Sequence, residues 1–243
     1  MNIFETWIAT KPIAHRGLHN ENVPENSIAA FEAAIAANYA IELDVRALRD
    51  GTIIVFHDES LGRMTGKDGY LANLSYEDIK DIRLAHSREK IPTLNEVLEC
   101  VAGRTPILIE IKNMGKVGDV EKAVYKVLKN YKGEFAIESF NPYSLEWFKI
   151  NAPHVKRGQI SSFMKNNSEI GFWKRFMLKR MMFNKKVSEP NFISYQCENL
   201  PNRFVKKYKH LPLIAWCVRT DEELERVKKI SDNIIFENIS PAV

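Results

Sequence analysis

Two histidines and three carboxylates in this chain lie at the ends of short apolar runs, beside an arginine and a lysine. Imidazoles take up and deliver protons near neutral pH, and carboxylate oxygens bind hard cations such as Mg²⁺ or Ca²⁺. Guanidinium and ammonium groups offset the charge of a phosphate. The candidates are His15, Arg16, Glu42, Asp44, His57, Glu110 and Lys112. These residue types predict metal-assisted cleavage of a phosphate ester.

The spacing of the carboxylates indicates a shared face. Glu42 and Asp44 are two residues apart in an apolar run, so on a strand both side chains point the same way. Glu110 and Lys112 repeat this spacing in the run ILIEIK. Adjacent carboxylates repel each other unless a cation lies between them. A metal site competes here with two simpler interpretations, a solvated strand end for the first pair and a buried ion pair for the second.

A hairpin is predicted to bring His57 to the carboxylates. The run from Thr52 to His57 follows the preceding strand too closely for a parallel crossover, so it must return antiparallel. Asp50 and Gly51 form a favoured two-residue turn. Counting back from that turn places Asp44 directly opposite His57, and such cross-strand neighbours share one site.

The elements that must position these residues alternate along the chain. Eight apolar runs separated by helical patterns predict a (β/α)8 TIM barrel, with the hairpin and a small insertion at about 60–91 after the second strand. We expect residues 1–243 to form one catalytic domain. Thr93 with Glu96, and Thr220 with Glu223, are predicted to start helices as capping boxes. The predicted barrel strands are Ile13–Arg16, Ile41–Val45, Ile107–Lys112, Phe135–Phe140, Lys156–Ile160, Phe192–Tyr195, Leu213–Val218 and Ile234–Glu237.

The composition limits the partners and the compartment. A net charge of +4 in 243 residues gives no reason to expect nucleic acid as a ligand. The three cysteines are far apart and lack Cys-x-x-Cys spacing, which argues against a disulfide framework or a zinc site. The N-terminal residues lack a signal-peptide pattern, and no long apolar run occurs. We therefore expect a cytoplasmic protein.

Taken together, the motifs resemble those of the glycerophosphodiester phosphodiesterase family. The resemblance is dense up to Lys112 and sparse beyond it. The matching segments are His15-Arg16-Gly17, Pro24-Glu25-Asn26-Ser27, Glu42-Leu43-Asp44, Asp50-Gly51, His57-Asp58, Leu61 with Arg63 and Thr65, Ile91-Pro92-Thr93-Leu94, Glu96-Val97-Leu98, Glu110-Ile111-Lys112, Ser139-Phe140-Asn141 and Trp216-Cys217-Val218.

The resemblance implies an activity and a role for each matching residue. It implies hydrolysis of a glycerophosphodiester to glycerol 3-phosphate and an alcohol, with one divalent cation, Mg²⁺ or Ca²⁺. The implied site comprises the metal ligands Glu42, Asp44 and Glu110, the acid/base residues His15 and His57, the phosphate-binding Arg16 and Lys112, and Trp216 beside the glycerol.

Two other functions stay open at this point. Residues 172–186 contain six basic residues and no acidic one, interspersed with aromatics. Such a segment suits an anionic membrane surface, so peripheral membrane contact and a lipid-directed phosphodiesterase of the lysophospholipase D or sphingomyelinase D type are alternatives. On a helical wheel the basic residues scatter, which favours an ordinary packed helix. A barrel that binds phosphate ligands without catalysis is a third possibility, and the intact histidines argue against it.

Overall fold

The computed structural model describes residues 2–164 and 172–242. The chain forms two compact units, which we call the N-terminal unit, Ala14–Phe135, and the C-terminal unit, Met1–Ile13 with Ala136–Val243. Both consist of strands alternating with helices.

In the N-terminal unit, strand β2 (Ala40–Ala47) pairs with β1 (Ile13–Ala14) and, in parallel, with β4 (Ile107–Ile111). The register of β2 and β4 sets Asp44 opposite Glu110. The candidate carboxylates of these two strands are therefore side by side. The elements are β1 (Ile13–Ala14), α2 (Ile28–Ala36), β2 (Ala40–Ala47), β3 (Ile53–Val55), α3 (Gly62–Thr65), α4 (Tyr76–Ile79), α5 (Leu94–Val101), β4 (Ile107–Ile111) and α6 (Asp119–Leu128), with a 3-10 turn at Leu71–Asn73.

The antiparallel hairpin of β2 and β3 is confirmed, but its predicted register is wrong by one residue. Val45 pairs with Val55, and the Phe56 amide donates to the Asp44 carbonyl at 2.9 Å. Asp44 therefore faces Phe56 rather than His57. The reason is a three-residue loop closed by Leu48 and Thr52, in which Gly51 takes the left-handed conformation with φ 83°. The predicted register requires a two-residue turn instead.

The insertion after the hairpin has a small apolar core of its own. Leu61, Met64 and Leu71 are buried against Ile54 and Phe56 of the hairpin. The backbone of this segment is fixed by an antiparallel bridge between Ser60 and Tyr70. The insertion is thus anchored to β3, the strand that pairs with the one carrying Glu42 and Asp44.

In the C-terminal unit, five strands pair consecutively and in parallel, from β5 to β9. Asn233 on the last strand donates to the Ile8 and Lys11 carbonyls and so holds α1. The helices and strands are α1 (Trp7–Thr10), β5 (Phe135–Ser139), α7 (Pro142–Asn151), β6 (Lys156–Ser161), α8 (Phe172–Lys179), β7 (Phe192–Gln196), β8 (Leu213–Val218), α9 (Asp221–Val227) and β9 (Asn233–Phe236). Shorter turns lie at Ile3–Glu5, Asn184–Ser188, Cys197–Asn199 and Val205–Tyr208.

The predicted helix starts are found, one of them in altered form. Thr93 and Glu96 form the full capping box at α5. At α9 the Thr220 hydroxyl accepts from the Glu223 amide, but the Glu223 carboxylate reaches back to the Arg219 amide instead. Both devices satisfy amides that the first helical turn leaves unpaired.

The predicted fold class is confirmed. Strands β1, β2 and β4–β9 are the eight strands of a (β/α)8 barrel, and β3 is the antiparallel addition. That residues 1–243 act as one catalytic domain stays a prediction. Among the described residues, no helix has both the length and the apolar composition needed to cross a bilayer.

Candidate functional site

The end of β1 turns sharply and points its next residues at β2. Arg16 and Gly17 both have positive φ, 54° and 77°. The Arg16 amide donates to the Glu42 carboxylate at 2.9 Å. A Cβ at position 17 would lie 2.8 Å from the Ala30 Cβ, so only glycine allows this approach to α2. The turn positions His15, whose Nε2 lies 3.9 Å from a Glu42 oxygen.

Three buried carboxylates, Glu42, Asp44 and Glu110, form what we call the carboxylate cluster. Each offers an oxygen within 4.8 Å of the other two. Their residues are 1%, 0% and 8% exposed. The strand register creates this cluster, because Glu42 and Asp44 share a face of β2 and Asp44 lies opposite Glu110 on β4.

Two cations partly balance the cluster. Lys112 Nζ lies 2.8 Å from Glu110 and 3.2 Å from Asp44, and Arg16 Nε lies 3.2 Å from the other oxygen of Asp44. Burial alone would raise the pKa of Asp44, but the charges of Lys112 and Arg16 outweigh it and hold that pKa low. For Glu110 burial prevails, and its pKa is raised despite Lys112. Burial also opposes the charge of Lys112, yet its two carboxylate partners raise its pKa.

The donor set of the cluster fits a hard divalent cation. Three carboxylates outnumber Lys112 and Arg16, the two cations that contact them, so the cluster can take up further positive charge. Oδ1 of Asp44 is buried and accepts no hydrogen bond from any residue that the structure describes, although Lys112 lies at ion-pair distance. Oxygen ligands without sulfur or nitrogen suit Mg²⁺ or Ca²⁺.

His57 is oriented by its neighbour in sequence. Its Nδ1 lies 2.6 Å from the Asp58 carboxylate, which favours the tautomer with the proton on Nδ1 and leaves Nε2 for other partners. Burial lowers the pKa of His57 to about 4, against the opposing charge of Asp44. The imidazole is therefore neutral at pH 7 and can accept a proton.

Beyond the predicted residues, the structure assigns partners to four motif residues whose roles the sequence did not reveal. Glu25 accepts from Arg16 at 2.8 Å and from Arg63 at 2.7 Å. Arg63 also donates to Asp58 at 2.6 Å, so it links the partner of His57 to the partner of Arg16. The side-chain amide of Asn26, on the loop before α2, donates to Asp44 at 2.9 Å.

The hairpin adds one further cation that sequence reasoning missed. Arg46 lies two residues beyond Asp44 on β2, and its Nε donates to the His57 carbonyl at 2.7 Å. Burial lowers the pKa of Arg46, although it stays protonated at neutral pH. The sequence contains a signal for this orientation, because Arg46 lies two residues from Asp44 and so shares its face of the strand.

Of the eight predicted site residues, seven lie in the N-terminal unit and cluster there as described. Trp216 lies on β8 in the C-terminal unit, where its ring meets Phe140 edge to face at 5.7 Å. Its indole nitrogen is buried and has no hydrogen-bond partner among residues 2–164 and 172–242. Its assignment beside the substrate stays a prediction.

The chain is similar in sequence to proteins of one family along nearly its whole length. The model of the glycerophosphoryl diester phosphodiesterase family matches residues 15–238. A glycerophosphodiester phosphodiesterase of Caldanaerobacter subterraneus is 39% identical over 241 residues, covering 94% of each chain.

Solved structures give the same fold. An Oleispira antarctica phosphodiesterase, solved in complex with the product sn-glycerol-3-phosphate, superposes with a TM-score of 0.77 at 22% identity over 93% of this chain and 92% of its own. A glycerophosphodiester phosphodiesterase of Thermotoga maritima superposes with a TM-score of 0.71 at 24% identity over 93% and 94%. The chain therefore belongs to the glycerophosphoryl diester phosphodiesterase family and is an enzyme of that activity.

Proposed function

We propose that this enzyme hydrolyses a glycerophosphodiester to sn-glycerol 3-phosphate and an alcohol, with one divalent cation and two proton-transferring histidines. One observation carries the proposal: a buried carboxylate cluster with His15 and His57 beside it in the same unit. The product bound to the Oleispira relative supports the choice of product.

The carboxylate cluster would hold Mg²⁺ or Ca²⁺, which would lower the pKa of the attacking hydroxyl and polarise a phosphoryl oxygen. Lys112 and Arg16 lie within 3.2 Å of the cluster and would stabilise negative charge on the phosphoryl oxygens. Such fixed charges in a buried place act on the transition state without reorganising. The salt bridges to the cluster fix the positions of Lys112 and Arg16 before a phosphate binds.

The two imidazoles would divide the proton transfers. The glycerol 2-hydroxyl oxygen attacks phosphorus and gives its proton to one imidazole, while the bond to the alcohol breaks and the other imidazole protonates the departing oxygen. Water then opens the cyclic phosphate, with the two imidazoles in reversed roles. Asp58 would keep Nε2 of His57 directed to the reacting groups, since it already binds Nδ1.

Leaving-group chemistry tests this division of labour. His15→Ala and His57→Ala are expected to lower kcat by about 10²- to 10⁴-fold on glycerophosphocholine. A p-nitrophenyl ester of glycerol phosphate needs no proton on departure, so the variant that lacks the general acid should recover activity on it. His154→Ala, at an exposed histidine in the C-terminal unit, is the matched control. Ordinary activity of either test variant on glycerophosphocholine contradicts the acid/base assignment.

The finer location of the enzyme belongs to the same proposal. Its three cysteines form no disulfide within the described part of the chain, which suits the reducing cytoplasm. Peripheral membrane contact through residues 172–186 is supported by the exposed side chains of Trp173 and Met182, 72% and 58% exposed. Against it, Arg180 lies 3.7 Å over the Phe176 ring instead of extending to a surface. Co-sedimentation with phosphatidylserine vesicles decides the point, and failure to pellet removes membrane contact from the proposal.

A further inference from the structure

A cavity of the N-terminal unit shares Lys112 with the carboxylate cluster. It has a volume of about 310 Å³ and is lined by Arg46 and Lys112 and by Glu59, Tyr70 and Met114. Lys112 belongs to both places, because it lines the cavity and its ammonium contacts Asp44 and Glu110 of the cluster. A diester whose phosphate lies against Lys112 can therefore extend one ester group into this cavity, which we call the side groove.

The rim of the side groove is held in place by backbone hydrogen bonds. The Leu71 amide donates to the Glu59 carbonyl at 2.9 Å, and Ser60 bridges to Tyr70. These contacts keep the Glu59 carboxylate and the Tyr70 ring on adjoining segments. The rim is thus preorganised, which reduces the entropy lost when a ligand binds.

The opposite wall is the loop after β4, and it is equally constrained. Asn113 accepts from the Gly115 amide and donates to Glu121, which is fully buried. Glu121 in turn accepts from the Gly118 amide at 2.7 Å. The loop therefore holds Met114 in the groove wall, and 42% of that residue is exposed.

The chemistry of the lining selects a ligand. Tyr70 is 64% exposed, and an aromatic face attracts a quaternary ammonium through its electron-rich ring. The Glu59 side chain is 69% exposed and lies 3.6 Å from Arg46, a loose ion pair that leaves its carboxylate accessible. A cation would find a ring, a carboxylate and the polarisable sulfur of Met114 together.

The size of the groove argues against a lipid chain. Its volume lies at the lower end of the range of about 300–1,000 Å³ for small-molecule sites. Arg46 and Glu59 would also be desolvated by an acyl chain without compensation. A small alcohol fits better on both counts.

We infer that the side groove binds the leaving alcohol, and that it favours a small quaternary ammonium alcohol of the choline type. Tyr70 and Glu59 are then specificity-determining residues. This inference rests on the proposed function, since it requires the phosphate to lie beside Lys112.

The test compares kcat/KM for glycerophosphocholine with kcat/KM for glycerophosphoglycerol. The unmodified enzyme should prefer the choline ester. Tyr70→Ala and Glu59→Gln should each reduce the ratio of the two kcat/KM values by about five- to tenfold, as expected for a partly exposed cation–π or charge contact. Tyr70→Phe keeps the ring and should keep the ratio.

A matched control removes a carboxylate elsewhere on the insertion. Glu77 is exposed and pairs with Lys80, so Glu77→Gln changes the net charge equally and should leave the ratio unchanged. If the enzyme cleaves neither diester, the proposed function fails. If it cleaves both but Tyr70→Ala and Glu59→Gln leave the ratio unaltered, or a lysophospholipid is preferred to both, the groove inference is wrong while the hydrolysis stands.

Discussion

Glu110→Gln removes one negative charge from the carboxylate cluster and nearly preserves the side chain's size. In the metal-free protein its effects on stability offset each other. The charge–charge attraction to Lys112 at 2.8 Å is lost, about 6 kcal/mol at an effective dielectric constant of about 20. Repulsion from Glu42 and Asp44, whose oxygens lie within 4.8 Å, also disappears, at least about 3.5 kcal/mol for each.

The metal-bound protein should respond differently. A cation at about 100 times its Kd stabilises the native protein by about 2.7 kcal/mol. For a chain of 243 residues this corresponds to a rise in Tm of about 5–11 °C. Glu110→Gln loses a ligand and should lose most of this rise, whereas its metal-free Tm should stay within about 5 °C of the unmodified protein.

Thermal unfolding measured with EDTA and then with increasing Mg²⁺ or Ca²⁺ checks this without reference to activity. Glu99→Gln also removes one negative charge, but at an exposed position on α5 that is not a proposed metal ligand, so this variant should retain the full metal-induced rise in Tm. An equal metal-induced rise in Glu110→Gln and the unmodified protein would refute the ligand role of Glu110. If neither cation raises the Tm of the unmodified protein, the metal site itself is wrong.

Three further predictions follow from the same unit. Asp58→Asn should lower kcat by roughly tenfold or more, because His57 loses the acceptor that fixes its tautomer, and steady-state kinetics with a pH profile measures this. With EDTA present, the free energy of unfolding should fall as the pH drops from about 6.5 to about 4, because His57 binds a proton in the unfolded chain but not in the folded protein, where its pKa is lowered to about 4. Urea unfolding of His57→Gln should show a smaller fall in this free energy, and an equal fall refutes the prediction. Gly51→Ala should lower the free energy of unfolding by about 1–2 kcal/mol because of its positive φ alone. Gly17→Ala should lower it more and also reduce activity, because the new Cβ lies 2.8 Å from Ala30; equal losses of Tm in the two variants contradict this distinction.

The sequence determined much of the fold and of the site because local patterns encode both. Strands and helix starts follow from apolar runs and from caps such as Thr93 with Glu96, which depend on neighbouring residues alone. The shared face of Glu42 and Asp44 follows from the two-residue repeat of a strand. Their association with Glu110 came from the motif resemblance, and the β2–β4 register gives it a physical basis.

Other features depend on contacts that no local pattern contains. The hairpin register was set by Gly51 in the left-handed conformation and a three-residue loop, so the predicted pairing of Asp44 with His57 failed. Glu25 joins Arg16 to Arg63, which lies 38 residues beyond Glu25 in the sequence, and Arg63 in turn donates to Asp58, the partner of His57. The sequence by itself thus determined which residues are the candidates for the chemistry. The tertiary structure decided their partners, charges and orientation, because burial and distance between remote segments arise only once the chain has folded.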